Sequence, residues 1–354
     1  MRKTLAMLLL LFTSLMYLSA QGNIENTSAA SERQVVSFTD DLGRVVDVPA
    51  DISSVTPSGS MAQVILLTFD QSKISGLTTA MSDEERAYYP DLSEDIPVLG
   101  TFYGKKANLN KEALIVVNPD VVIDIGEIKG SVDEMISDLD VLQEQIGIPV
   151  VFIESYLADS AHTYTRLGEL LGDEERGNEL ASYAEEAVAF AADTKEALGE
   201  TVTFYYSSSV DGLEAIPSGN FHGEVLEAVG GVNVVPSTFS SGGNAISLEQ
   251  LFLWNPDVII LSDENAFRTV TAEDSSWQTL DAVKNGRVYL VPAVINNWID
   301  SPPSINRLIG IWWAADVFYG SQAGVDVKAE AERFYSLFYG YDISENELAE
   351  YGIR

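Results

Sequence analysis

The sequence contains no cysteine. That excludes disulfides, thiolate metal sites, thiol nucleophiles and a lipid-modified cysteine near the N-terminus. Histidine is scarce too, at two residues, too few to build the usual several-ligand site for a bare metal ion. Basic residues are outnumbered by acidic ones, 20 to 54, for a net charge of -34. Nucleic-acid binding needs a basic footprint to displace counterions, so that class is excluded. An anionic membrane surface is equally poor company. Catalytic signatures are missing as well, with no G-x-S-x-G, H-E-x-x-H or phosphate-binding glycine loop. A hydrolase built on paired carboxylates such as Glu127, Asp263 and Glu264 stays open as an alternative, as does a scaffold module.

Long apolar runs are confined to the start. Met1-Arg2-Lys3 precedes the apolar stretch Leu5–Leu18, about 14 residues against the roughly 20 that span a bilayer. This reads as a signal peptide over residues 1–20 followed by a polar spacer over 21–33, and implies an exported, periplasmic or extracytoplasmic chain.

What is abundant is apolar and aromatic sequence, 46% and 10% of 354 residues. That suffices for two cores, and the length favours two domains. The chain also repeats itself. "EALIVVNPDVVIDIG" (112–126) and "EQLFLWNPDVIILSD" (249–263) share Glu, a Leu, Asn-Pro-Asp-Val and a following Ile. Each begins with Leu and other apolar residues at helical spacing, with Asn110 or Ser247 placed to cap the helix, the latter with Gln250 in a capping box. Asn-Pro stops the helix, since the residue before proline avoids the α region. A β-branched apolar run follows, suited to a strand covered on both faces. Two helix–turn–strand units imply two α/β lobes of similar design.

Between them, residues 160–200 are rich in Ala and Glu and lack proline. Leu180, Tyr183, Ala184, Ala187 and Val188 form one stripe, which predicts a long bridging helix rather than a flexible linker. The expected organisation is a first lobe over 34–159, the bridging helix over 160–200 and a second lobe over 201–354. The fold class is α/β, with each lobe a mainly parallel sheet flanked by helices.

The stretches "VVSFTDDLGRVVDVP", "PVLGTFYGKKANLNKEALIVVNPDVVIDIGE", "FHGEVLEAVGGVNVV", "WQTLDAVKNGRVYLVP" and "NWIDSPPSINRLIGIWWAADVFYG", in that order, resemble the helical-backbone (class III) periplasmic substrate-binding proteins of ABC importers. That group serves iron-siderophore, haem, cobalamin and some oxyanion importers. The resemblance spans nearly all of residues 35–340 and implies a monomer that holds a small ligand between its lobes and hands it to a membrane permease with its ATPase. It implies no cofactor and no enzymatic reaction. It also implies docking through one carboxylate on each lobe. Glu224 matches in the second lobe, whereas Gln63 stands where the first lobe would have Glu.

In open α/β sheets, ligands sit beyond the carboxyl ends of the strands, so the loops there carry the candidates. Ser58 and Ser60 lie in "PSGSM", Tyr103 and Lys105 in "GTFYGKK", and Glu127 in "IGEIKG". On the second lobe, His222 lies in "SGNFHG", Tyr206 ends a strand, and Trp298 precedes "DSPPSINR". Tyr206 is read as a phenolate for iron or as strand packing, and Trp298 as a stacking wall or a core residue. Arg307 falls in the first turn of a helix, where a cation opposes the dipole unless an anion is near. That anion is either a ligand, contacted together with Lys105 or Tyr103, or Asp300. The preferred ligand is a chelated metal, a ferric siderophore, with molybdate or tungstate as the alternative. No metal is held directly by the protein.

Overall fold

The computed structural model describes residues 33–102, 107–199, 201–239 and 244–353. The expected signal peptide, the spacer up to residue 32, and Tyr103, Lys105 and Lys106 lie outside these.

A hairpin of β1 (Val35–Thr39) and β2 (Val45–Pro49) opens the described chain. Its turn is closed by Asp40, whose carboxylate accepts from the Leu42 and Arg44 amides and pairs with the Arg44 guanidinium at 2.9 Å. The first lobe then forms a parallel sheet in the order β3 (Val55–Pro57), β4 (Val121–Gly126), β5 (Val150–Glu154). Its helices are α1 (Ser60–Phe69), α2 (Lys111–Val117) and α3 (Val132–Ile146). Next come α4 (Ser160–Leu171) and α5 (Glu174–Leu198). The second lobe has six strands: β6 (Val202–Ser207), β7 (Glu214–Ala215), β8 (Gly231–Asn233), β9 (Asn244–Ala245), β10 (Val258–Leu261) and β11 (Val288–Leu290). Their order is β11-β10-β6-β7-β9, with β8 also on β6, and only the pairs made by β7 are antiparallel. Helices α6 (Leu248–Trp254), α7 (Asn306–Tyr319) and α8 (Val327–Tyr339) complete the principal elements.

The repeated units fold alike. Asn110 and Ser247 cap α2 and α6, accepting from the Ala113 and Gln250 amides. Asn118 and Asn255 end the helices in the left-handed region at φ 49° and 41°, a conformation Asn tolerates better than most residues. The shared Asp has a shared task. Asp120 accepts from the Ser53 and Ser54 amides, and Asp257 from the Thr203 amide and hydroxyl. Each therefore ties its unit to the start of the lobe's first parallel strand, β3 or β6. The two strands that follow, β4 and β10, lie in different sheets.

The bridging segment is two helices rather than one. Gly172, at φ 71°, caps α4, and Asp173 caps the 25-residue α5. They pack through glycine: a Cβ on Gly177 would lie 2.7 Å from the Tyr164 carbonyl and 2.9 Å from Gly168 Cα. On its second-lobe side, α5 stacks Phe190 on Trp312 of α7 with ring centroids 4.0 Å apart.

The C-terminal segment departs from the expected 201–354 boundary. Helix α8 packs on α1 of the first lobe. Tyr339 meets Tyr89 with ring centroids 6.0 Å apart. Arg176 of α5 donates to Thr68 and Leu337 carbonyls, joining α1, α5 and α8. One apolar cluster consequently runs from Val46 to Ile353 through both lobes.

Candidate functional site

The parallel strands of both lobes end at a common cleft. Among the described residues, two sizeable cavities lie there. The first, about 460 Å³, takes Ser60, Gln63, Thr79 and Glu85 from the first lobe and Ser208, Ser262, Asp263 and Asn297 from the second. Among its described lining residues there is no Lys, Arg or His. Glu85 completes a capping box by accepting from the Ser82 amide at 2.7 Å, and Asp263 caps a helix, accepting from the Asn265 amide at 2.8 Å. Gln63 Oε1 accepts from the Thr78 amide and hydroxyl at 2.7 and 2.9 Å. Tyr206 is wholly buried and its hydroxyl meets Ser262 Oγ at 2.8 Å, fixing one wall of this cavity.

The second cavity, about 340 Å³, lies on the other side of the α1 N-terminus, with Ser60 common to both. Strand β4 delivers Asp124 to it and the loop that follows delivers Glu127 and Lys129, with Ser58 beside them. Ile125, Met61, Phe221 and Pro303 supply apolar wall, the last two from the second lobe. Asp124 is 2% exposed. Its Oδ1 accepts a short hydrogen bond from Ser58, while Oδ2 has no hydrogen-bond partner.

A charged network flanks this cavity. Arg307 is 3% exposed and donates from Nη1 to Glu224 Oε2 at 2.9 Å. Its guanidinium lies 4.5 Å from the Phe221 ring centre, and Nε is buried without a partner. His222 Nδ1 meets Asp300 Oδ1 at 2.6 Å, which raises the imidazole pKa against its own burial. Burial pushes the Arg307 pKa down, and Glu224, Glu127 and Asp300 push it back up. Glu127, from the first lobe, is raised by burial despite facing Arg307. Glu224 is likewise raised by burial, against the pull of Arg307.

Residues 59–295 match the family model described as periplasmic binding protein. The chain belongs to the periplasmic binding proteins. It is 25% identical over 338 residues to the molybdate-binding protein MolA of Haemophilus influenzae, covering 88% of this chain and 92% of that one. It is 24% identical over 196 residues to the Fe(3+)-citrate-binding protein YfmC of Bacillus subtilis, covering 53% and 58%. The solved ABC transporter solute-binding protein of Sulfurospirillum deleyianum superposes with a TM-score of 0.79 at 27% identity, over 89% of this chain and 98% of that one. The fold is the two-lobed class III arrangement of ABC importers, a family that works outside the cytoplasm.

Within this binding protein, the cleft gathers Ser58, Ser60 and Glu127 from the loops singled out in the sequence. Other expectations are corrected. Trp298 is no ligand wall, because it is 0% exposed and donates from Nε1 to the Tyr335 hydroxyl at 2.8 Å in the core. A Tyr206 phenolate is opposed by complete burial, which drives its pKa far up. Gln63 presents nothing to a docking partner, since its carboxamide is buried against Thr78. The anion beside Arg307 is Glu224, while Asp300 is turned to His222. Among the described residues, Arg307, His222 and Glu224 border neither cavity.

Three contributors escaped the sequence reading. Thr79 and Glu85 lie in a segment with no strand before it. Asp124 had a signal, as the acidic residue inside an apolar strand covered on both faces. Its carboxyl pKa is raised by burial, with Lys129 and the Ser58 bond opposing. A carboxyl raised on folding binds its proton more tightly when native. The penalty is absent below the unfolded value near 3.8 and develops as pH rises toward the native one. Asp124→Asn is therefore expected to stabilise the protein at pH 7 by about 1 kcal/mol, the low end for relieving a buried unsatisfied group. The gain should vanish near pH 3. Urea unfolding at both pH values measures it, and a destabilised variant at pH 7 would show that the carboxylate is satisfied.

Proposed function

We propose that this periplasmic binding protein captures a ferric chelate of neutral or positive charge and delivers it to an ABC permease. The observation that carries the reading is the first cavity. Its volume of about 460 Å³ lies within the roughly 300–1,000 Å³ typical of sites for drug-sized ligands. Hydroxyl and amide groups line it, with the carboxylates of Glu85 and Asp263 and no described cation. Such a wall suits a multidentate organic ligand wrapped around its metal. Its described residues give a small dianion no countercharge, and the net charge of -34 adds repulsion at the approach.

A molybdate-type oxyanion is the second reading, favoured by the likeness to MolA over most of the chain. A hydrolase is less well supported, because Glu127 and Asp263 line different cavities. Glu224, about a third exposed at its side chain, is our candidate for permease docking on the second lobe.

Calorimetric titration with a ferric trihydroxamate, ferric citrate and molybdate separates the readings. Saturable one-to-one binding of a ferric chelate, with none of molybdate, is expected. Binding of molybdate alone would replace the chelate reading with the oxyanion one.

A further inference from the structure

We propose that the second cavity is a subsite for a protonated primary amine carried by the ligand. This inference rests on the ferric-chelate reading and specifies the kind of chelate. The observation behind it is the orphaned oxygen of Asp124. That carboxylate sits within a buried strand, lines a cavity of about 340 Å³, and leaves Oδ2 without a hydrogen-bond partner. A buried anion in this condition is expensive unless a donor arrives. Two donors nearby are already committed. The Ser58 hydroxyl is given to Oδ1, and Arg307 Nη1 to Glu224.

Charge sorts the possible visitors. Asp124 and Glu127 face Lys129 among the described lining residues, leaving one negative charge in excess. An acidic or anionic group on the ligand would meet two carboxylates. A neutral hydroxyl could bond Oδ2 but would leave the charge uncompensated. An alkylammonium answers both needs: it brings three donors and one positive charge. The remaining wall fits its stem, since Met61, Ile125, Phe221 and Pro303 offer apolar surface to methylenes. Ser60 borders both cavities, so a chelate in the first can send an arm past the start of α1 into the second. A bare divalent ion is a poorer occupant, because among the described residues no group of three or more His, Cys, Asp or Glu is placed to hold one.

The test uses the ferric complex of a linear trihydroxamate ending in a free primary amine, and the same complex N-acetylated at that amine. Wild-type protein is expected to bind the amine form more tightly by roughly ten- to a hundredfold, the worth of a charge-assisted hydrogen bond. Asp124→Asn should reduce that preference to less than about threefold, and Glu127→Gln should reduce it in part. Melting curves of both variants show whether they are folded. Equal binding of the two complexes by wild type overturns the amine subsite and leaves the chelate reading standing. A preference that survives both substitutions overturns the assignment to Asp124. Should neither complex bind, the chelate reading fails, and hexylamine hydrochloride then decides the subsite by itself. A thermal stabilisation of wild type that Asp124→Asn abolishes supports it, and no stabilisation overturns it.

Discussion

Trp298→Ala is expected to lower stability by about 3–5 kcal/mol, the range for deleting a buried large aromatic side chain. The indole is fully enclosed, with Nε1 donating to the Tyr335 hydroxyl, which in turn donates to the Val294 carbonyl at 2.7 Å. Its backbone is committed as well. A Cβ on Gly310 of α7 would lie 2.0 Å from the Trp298 carbonyl oxygen, so the helix seats directly on this segment. Truncation would leave a cavity lined by rings and a tyrosine hydroxyl short of one donor. Urea unfolding monitored by circular dichroism measures the loss. Chelate affinity, corrected for the unfolded fraction, should change by less than about threefold. Intact stability with collapsed affinity would return Trp298 to the ligand.

The second large effect belongs to Glu224→Gln. Breaking a buried ion pair by removing one partner costs about 3–5 kcal/mol, because the other charge is left uncompensated. Here the low end, about 3 kcal/mol, is expected. The Glu224 side chain is 34% exposed, and Glu127 and Asp300 also bear on the guanidinium. Replacing both partners removes the stranded charge, so Glu224→Gln with Arg307→Gln should be more stable than Glu224→Gln alone. Equal stabilities would mean that solvent or Glu127 already compensates Arg307. The double variant also serves transport measurements. If Glu224 docks on the permease, transport stays impaired when stability is restored; if its task is to hold Arg307, transport recovers.

Much of the architecture was legible because it is written in local chemistry. Asn caps, Asn-Pro stops and β-branched runs act over a few residues, and both copies of the unit fold as their spacing implies. The loops that form the cleft follow from the same reasoning, since they must follow the parallel strands. Pairings across distance were not legible. Arg307 plainly needed an anion, but Glu224 lies 83 residues away in sequence, and nothing local favours it over the nearer Asp300. Trp298 could be read as wall or core until Tyr335 stood beside it. The glycine at 172 splits the bridging segment, though the surrounding composition is that of an unbroken helix. Asp124 was visible as an oddity within its strand, but an unsatisfied oxygen can be recognised only when all its neighbours are known.

The return of α8 to the first lobe has a consequence for the order in which the molecule can be completed. The apolar face of α1 is covered in part by a helix ending at Tyr339, among the last residues of the chain. A polypeptide released from its N-terminus onward therefore cannot seal its first lobe when residue 159 emerges. That lobe waits, with apolar surface open, until almost everything else has been delivered. The second sheet, β6 to β11, draws its strands from residues 202–290 alone, so it can assemble sooner than the part of the chain that precedes it.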